Sequence, residues 1–165
     1  MNAGSFFAVA LLLGATNSGP SAAATVSERC PVTFPQGGMY GNTALRVALP
    51  AGGKFVFKPG GPGFIDRDGA LGIKFAWDRL TPGRLFVGGR RLDGSAAPAR
   101  SYMSPSVDEI GAQGTYLVFP TPGCWEITGR VGDAKLTFVL LVEKIGDGPS
   151  WRYEGLERGW IQTTG

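Results

Sequence analysis

Apolar and polar residues alternate with a period of two along most of this chain, and that pattern predicts strands. TALRVAL (43–49) sets Leu45, Val47 and Leu49 against Ala44, Arg46 and Ala48, as in a strand with one buried face. KFVFK (54–58) follows the turn PAGG, and ALGIKFAW (70–77) places Leu71, Ile73, Phe75 and Trp77 on one side. In RLFVGGRRLDG (84–94), Leu85 and Val87 share a face while Gly88 and Gly89 predict a bulge or sharp bend. TYLVFP (115–120) and the run FPTPGCWEITGRVGDAKLTFVLLV (119–142) complete the set. CPVTFPQGGMYGN (30–42) reads as an irregular lead-in, and the polar segment 95–111 as a long connection crossing the domain.

The last of these runs fixes its own register. Only Gly132 and Asp133 separate Val131 from Ala134, a two-residue hairpin loop whose leading glycine favours a type II′ turn. Pairing Val131 with Ala134 then opposes Gly129 to Leu136, Ile127 to Phe138 and Trp125 to Leu140 on one face, which is the core face. The other face pairs Arg130 with Lys135, Thr128 with Thr137, Glu126 with Val139 and Cys124 with Leu141. Cys124 thus points away from Trp125, unlike the bridging cysteines of antibody domains, and is placed to clamp Cys30 onto the outer face or edge of the hairpin. About seven short strands at this spacing predict an all-β chain with a single antiparallel immunoglobulin-like sandwich over 43–145. A lead-in (25–42) precedes it. A tail (146–165) follows, in which Trp151 and Trp160 either pin a short turn to the body or leave the end disordered.

Composition adds location. The apolar run from Phe6 to Leu13, then Gly, Pro and Ser, then Ala22, Ala23 and Ala24, reads as a secretory signal peptide (1–24). Its run of about ten apolar residues is short of the roughly 20 a membrane span requires. The expectation is an exported protein, periplasmic or extracellular, that is not inserted in the membrane after cleavage. Twenty-seven Gly and 12 Pro suit strands joined by tight turns. The net charge is +3, and the basic residues are scattered without a run, which argues against a nucleic-acid partner. The chain is expected to be a monomer.

Two cysteines in an exported chain predict one disulfide, Cys30 to Cys124. A loop of nearly the whole domain gives it about 4 to 5 kcal/mol in the chain-entropy account. The chain has no histidine. That removes Ser-His-Asp and Cys-His catalysis and every histidine-ligated metal site.

CPVTFP, LRVALPAGG, DGALGIKFAW, GGRRLDGSAAPAR and FPTPGCWEITGRVGDAKLTFV together resemble a family of short exported bacterial proteins with a leading Cys-Pro and a GCWEITGRVGDA-type terminal hairpin. The likeness runs from Cys30 to Ile145 and is most specific in the final thirty residues of that span. It implies an immunoglobulin-like sandwich and export, and brings no catalytic residues with it.

The remaining constellations carry little chemistry. Asp66-Arg67-Asp68-Gly69 begins like a calcium loop but continues into Ala-Leu-Gly-Ile, so it reads as a turn. Asp108 and Glu109 are adjacent on an extended segment and point apart, unlike a glycosidase pair. Met39 and Met103 alone do not make a copper site. Gly60-Gly61-Pro62-Gly63 lacks the ending of a phosphate loop and reads as a turn. Arg90 and Arg91 either bind an anion or solubilise an edge strand. Trp77 with Arg79, and Trp151 with Trp160, are candidate contacts for a ligand or partner. The resulting expectation is a module without catalysis, cofactor or metal, binding or structural in the bacterial cell envelope, with a protein or glycan of the envelope as partner. The alternative is a carbohydrate or small-ligand module using exposed aromatics and arginines.

Overall fold

Alternation of one large apolar residue with one small or polar residue is realised as two packed sheets. The computed structural model describes Met1 and residues 30–35, 37–105, 108–153 and 161–162; residues 2–24 of the expected signal peptide lie outside them. The strands are β1 (Met39–Gly41), β2 (Leu45–Ala48), β3 (Lys54–Phe57), β4 (Phe64–Asp66), β5 (Leu71–Arg79), β6 (Leu85–Arg91), β7 (Arg100–Met103), β8 (Gly111–Phe119), β9 (Gly123–Val131), β10 (Ala134–Lys144), β11 (Arg152–Tyr153) and β12 (Ile161–Gln162). One sheet runs β1-β2-β5-β8-β7-β12, with β4 on β5 and β11 on β4; the other runs β3-β10-β9-β6.

β2, β5, β8 and β7 take the A-B-E-D order of one immunoglobulin sheet, and β10, β9 and β6 take the G-F-C order of the other. The all-β immunoglobulin-like sandwich expected from the alternation is therefore present, with two departures from pure antiparallel pairing. β3 runs parallel to β10, and β11 parallel to β4. The first arises because the opening strand is split after Pro50. A 3-10 turn over Ala51–Gly53, with Gly52 and Gly53 at φ 73 and 64°, carries the chain from one sheet to the other.

The hairpin has the register read from the sequence, from Val131 opposite Ala134 to Cys124 opposite Leu141. Gly132 has φ +53° and Asp133 does not have a positive φ, as a type II′ turn requires. Between the sheets lie Trp77, Trp125, Phe57, Phe75, Phe119 and Phe138, all nearly or fully buried. The six-membered ring of Trp77 lies against Gly129, where an added Cβ would stand 2.5 Å from Cζ3. Close approach of an aromatic to backbone is what a strand glycine makes possible.

Four expectations are corrected. The lead-in holds β1, and its residues 30–35 are pinned: Thr33 N–H donates to the Val139 carbonyl and Thr33 Oγ1 accepts from Val139 N–H, both at 2.9 Å. The 95–111 connection contains β7, whose Ser101, Tyr102 and Met103 are buried. Gly88 and Gly89 make no bulge, since β6 pairs with β9 without interruption from Leu85 to Arg91. Gly89 instead clears space for Ile127 Cδ1 and Ala99 Cβ, at 2.5 and 3.1 Å from where its own Cβ would be. The tail contributes β11 and β12, on opposite sides of the larger sheet; residues 163–165 lie outside the described chain.

The outer edge of β10 is closed piece by piece. β3 covers Leu141 to Lys144, Thr33 covers Val139, Tyr40 Oη donates to the Thr137 carbonyl at 3.2 Å, and Asn42 Nδ2 donates to the Lys135 carbonyl at 3.0 Å. An uncovered edge of this length would be a template for association between chains.

Candidate functional site

The cysteine pair is bonded, with Cα atoms 5.4 Å apart, and both residues are buried. Because Cys124 faces outward from β9, the bond fastens the lead-in across the back of the hairpin. It leaves no free thiol among the described residues.

The other residues singled out in the sequence do not converge. Trp77, which the sequence offers both as the end of a core face and as a candidate ligand contact, is 1 % exposed, so the core reading holds and the contact does not; its Nε1–H donates to Thr115 Oγ1 at 3.2 Å. Arg79, paired with it in that expectation, is also interior: its guanidinium donates to the carbonyls of Gly83 (2.8 Å) and Asp108. It ties the loops at that end of the sandwich together. Both corrections have one cause, since the alternation that buries Phe75 continues through Trp77 and Arg79 to the end of β5. Trp151 is 57 % exposed, on the outer face of the larger sheet, edge-on to Phe64 and Tyr153. Trp160 lies outside the described residues.

Arg91 serves the fold. Its Nε–H donates to Asp93 Oδ1 at 2.7 Å and its Nη1 to Thr121 Oγ1 at 3.2 Å, so the end of β6 is tied to the β8–β9 turn. Gly123, at φ +147°, leaves the space that Arg91 Nε fills. Burial pushes the Asp93 carboxyl up, but hydrogen bonds from Arg91 and from the Cys124 backbone, with the guanidinium charge, outweigh it and hold the group below the ordinary carboxylate value. The Asp66 to Gly69 segment is the expected turn, closed by Gly69 N–H on the Asp66 carbonyl at 2.8 Å. Arg100 braces it by pairing with Asp66 (3.0 Å) and Asp68 (2.8 Å).

Arg90 belongs to a different surface, the outer face of the four-stranded sheet. Cross-strand register arranges that face in three rows: Arg90, Glu126 and Val139; Gly88, Thr128 and Thr137; Phe86, Arg130 and Lys135. Gly88 contributes no side chain to the middle row, so a notch opens between the outer two. With the segment from Ala97 to Arg100 as a side wall, it forms a groove of about 830 Å³. A groove of that size is within the range of ligand sites. Its walls mix the apolar surface of Phe86, Ala97, Pro98 and Ala99 with four cations and two carboxylates.

The charges divide unevenly. Arg90 pairs with Glu126 at 2.8 Å, and Arg100 with Asp68. Arg130 and Lys135 stand directly opposite one another, both exposed, and among the described residues neither has a carboxylate against it. Arg84 adds a third cation, its guanidinium carbon 5.3 Å from the centre of the Phe86 ring. Like charges directly opposed across strands destabilise by a few tenths to about 1 kcal/mol. Pairing Arg130 with Lys135 was legible in the hairpin register; that Phe86 of β6 completes the row was not, because it depends on which strand packs beside β9.

Among the described residues there is no group of three or more acidic or cysteine side chains arranged to hold a metal ion, and no helix long and apolar enough to cross a membrane. Comparison of the chain with family models, with curated proteins and with solved structures gives no match.

Proposed function

We propose that this chain is an exported, non-catalytic immunoglobulin-like binding module of the bacterial cell envelope, and that it binds through the groove on the outer face of its four-stranded sheet. The observation that carries the reading is the row Phe86, Arg130 and Lys135. An exposed aromatic beside two cations that no carboxylate among the described residues neutralises costs stability where it stands and lies outside the core between the sheets. A buried disulfide accords with an oxidising compartment, and the lack of histidine favours binding over catalysis. The carbohydrate alternative relied on exposed aromatics sharing one surface. Trp77 is interior and Trp151 is on the other sheet, so the shared platform it needs is not formed by them.

A photo-reactive phenylalanine analogue at position 86, in the full-length protein expressed in a bacterial host, tests this reading. Adducts in the envelope fraction that appear from position 86 and not from exposed Ile145 support it. Equal labelling from both positions, or none from either, refutes it.

A further inference from the structure

The geometry points to an acidic peptide segment of a partner protein as the occupant of this groove, laid across the strands with its carboxylates on Arg130 and Lys135, and with Arg84 beside them over the Phe86 ring. The inference rests on the binding face proposed above and goes on to name the ligand class. Charge complementarity carries it: the groove's carboxylates, Glu126 and Asp68, are each committed to an arginine, so what it offers a ligand is donors. Those donors lie at one end, around Phe86.

The apolar wall and the notch at Gly88 suit side chains that alternate with the acidic ones, as they do along an extended peptide. An anionic polysaccharide fits less well. Sugar rings are held by stacking on an aromatic face, together with acceptors for their hydroxyls, and here Arg84 lies over the Phe86 ring while both carboxylates are engaged.

The juxtaposed cations supply a test that separates binding from folding. Replacing Arg130 by glutamate (Arg130→Glu) converts a like-charge pair into an opposite-charge pair with Lys135, so the folded protein should be as stable as the parent or slightly more so. The same change removes a donor and adds repulsion towards an acidic ligand. The probe is a short fluorescein-labelled peptide alternating glutamate with leucine, read by anisotropy against the oxidised protein. Expected are saturable binding, loss on replacing the peptide's glutamates by glutamines, weakening as salt rises from about 0.05 to 0.5 M, and at least about tenfold weaker binding by Arg130→Glu.

The control is Arg46→Glu, the same charge change at an exposed position of the other sheet, which should leave binding within about twofold. Equal binding of polygalacturonate would overturn the peptide assignment, as would equal weakening by Arg46→Glu, because either result reduces the groove to net charge. A destabilised Arg130→Glu would show that the pair serves the fold and would also overturn it. If cross-linking from position 86 succeeds while the peptide does not bind, the ligand class fails and the binding face survives; if cross-linking fails, both fall.

Discussion

Replacing Gly129 by alanine tests the packing at the centre of the sandwich. The new methyl group would lie 2.5 Å from Trp77 Cζ3 and 2.7 Å from Cη2, where carbon atoms prefer about 3.5 to 4.0 Å. The indole must therefore withdraw by about 1 Å. It has nowhere to go: Nε1 is tethered to Thr115 and the ring packs on Phe138 with centroids 5.8 Å apart. Overpacking of this kind costs about 1 to 3 kcal/mol, and the gain from removing a strand glycine is at most about 1 kcal/mol. The expected result is a loss of about 2 kcal/mol in equilibrium urea unfolding, with a changed near-ultraviolet dichroism of Trp77. Trp77→Phe alone should also destabilise, by leaving a cavity and an unpaired Thr115 hydroxyl. Combined with Gly129→Ala, it removes the clash, so the double variant should be more stable than the sum of the single losses by about 1 kcal/mol or more. A neutral or stabilising Gly129→Ala, or single effects that add within about 0.5 kcal/mol, would refute the account.

Two further outcomes follow from the staple and its neighbour. Replacing Cys30 and Cys124 together by serine opens a loop spanning a sequence separation of 94; the chain-entropy relation gives a loss of about 4.7 kcal/mol, read as a lower urea midpoint, and a loss under about 1 kcal/mol would show that the bond does not restrict the unfolded chain. Asp93→Asn should destabilise at neutral pH. Because the folded carboxyl titrates below its unfolded value of about 3.9, its contribution is complete above that value and is lost as pH falls towards the folded one. The gap between parent and variant should therefore close below about pH 4; a gap that persists undiminished into stronger acid would contradict the ion pair with Arg91.

What could be read from the residues was whatever depended on local period. The hairpin from Cys124 to Leu141 was legible pair by pair because a two-residue turn leaves one register in which Trp125, Ile127, Phe138 and Leu140 face the same way. β7 and β4 were not, because each is four residues or fewer and carries a charge: Arg100 and Asp66 break the apolar pattern, and what explains them is an ion pair between the two strands, with Asp68 as the second partner of Arg100. Arg79 misled for the same reason, since a buried arginine spending its donors on loop carbonyls is indistinguishable in sequence from one facing solvent. The groove combines the two cases. Its Arg130 and Lys135 were placed together by the hairpin, but its wall from Ala97 to Arg100 comes from the other sheet, brought near by the pairing of Gly89 with Ala99.

The closed edge of β10 also orders events in time. Thr33, Tyr40, Asn42 and β3 all find their partners on a strand that begins at Ala134, and Cys30 finds its own on β9. A chain made from its N-terminus must hold those early residues without partners until the final hairpin exists, and contacts this distant in sequence are slow to form. Cys30 can be joined to its partner only once Cys124, 94 residues later, is in the chain, so the bond is among the last links the sequence makes possible.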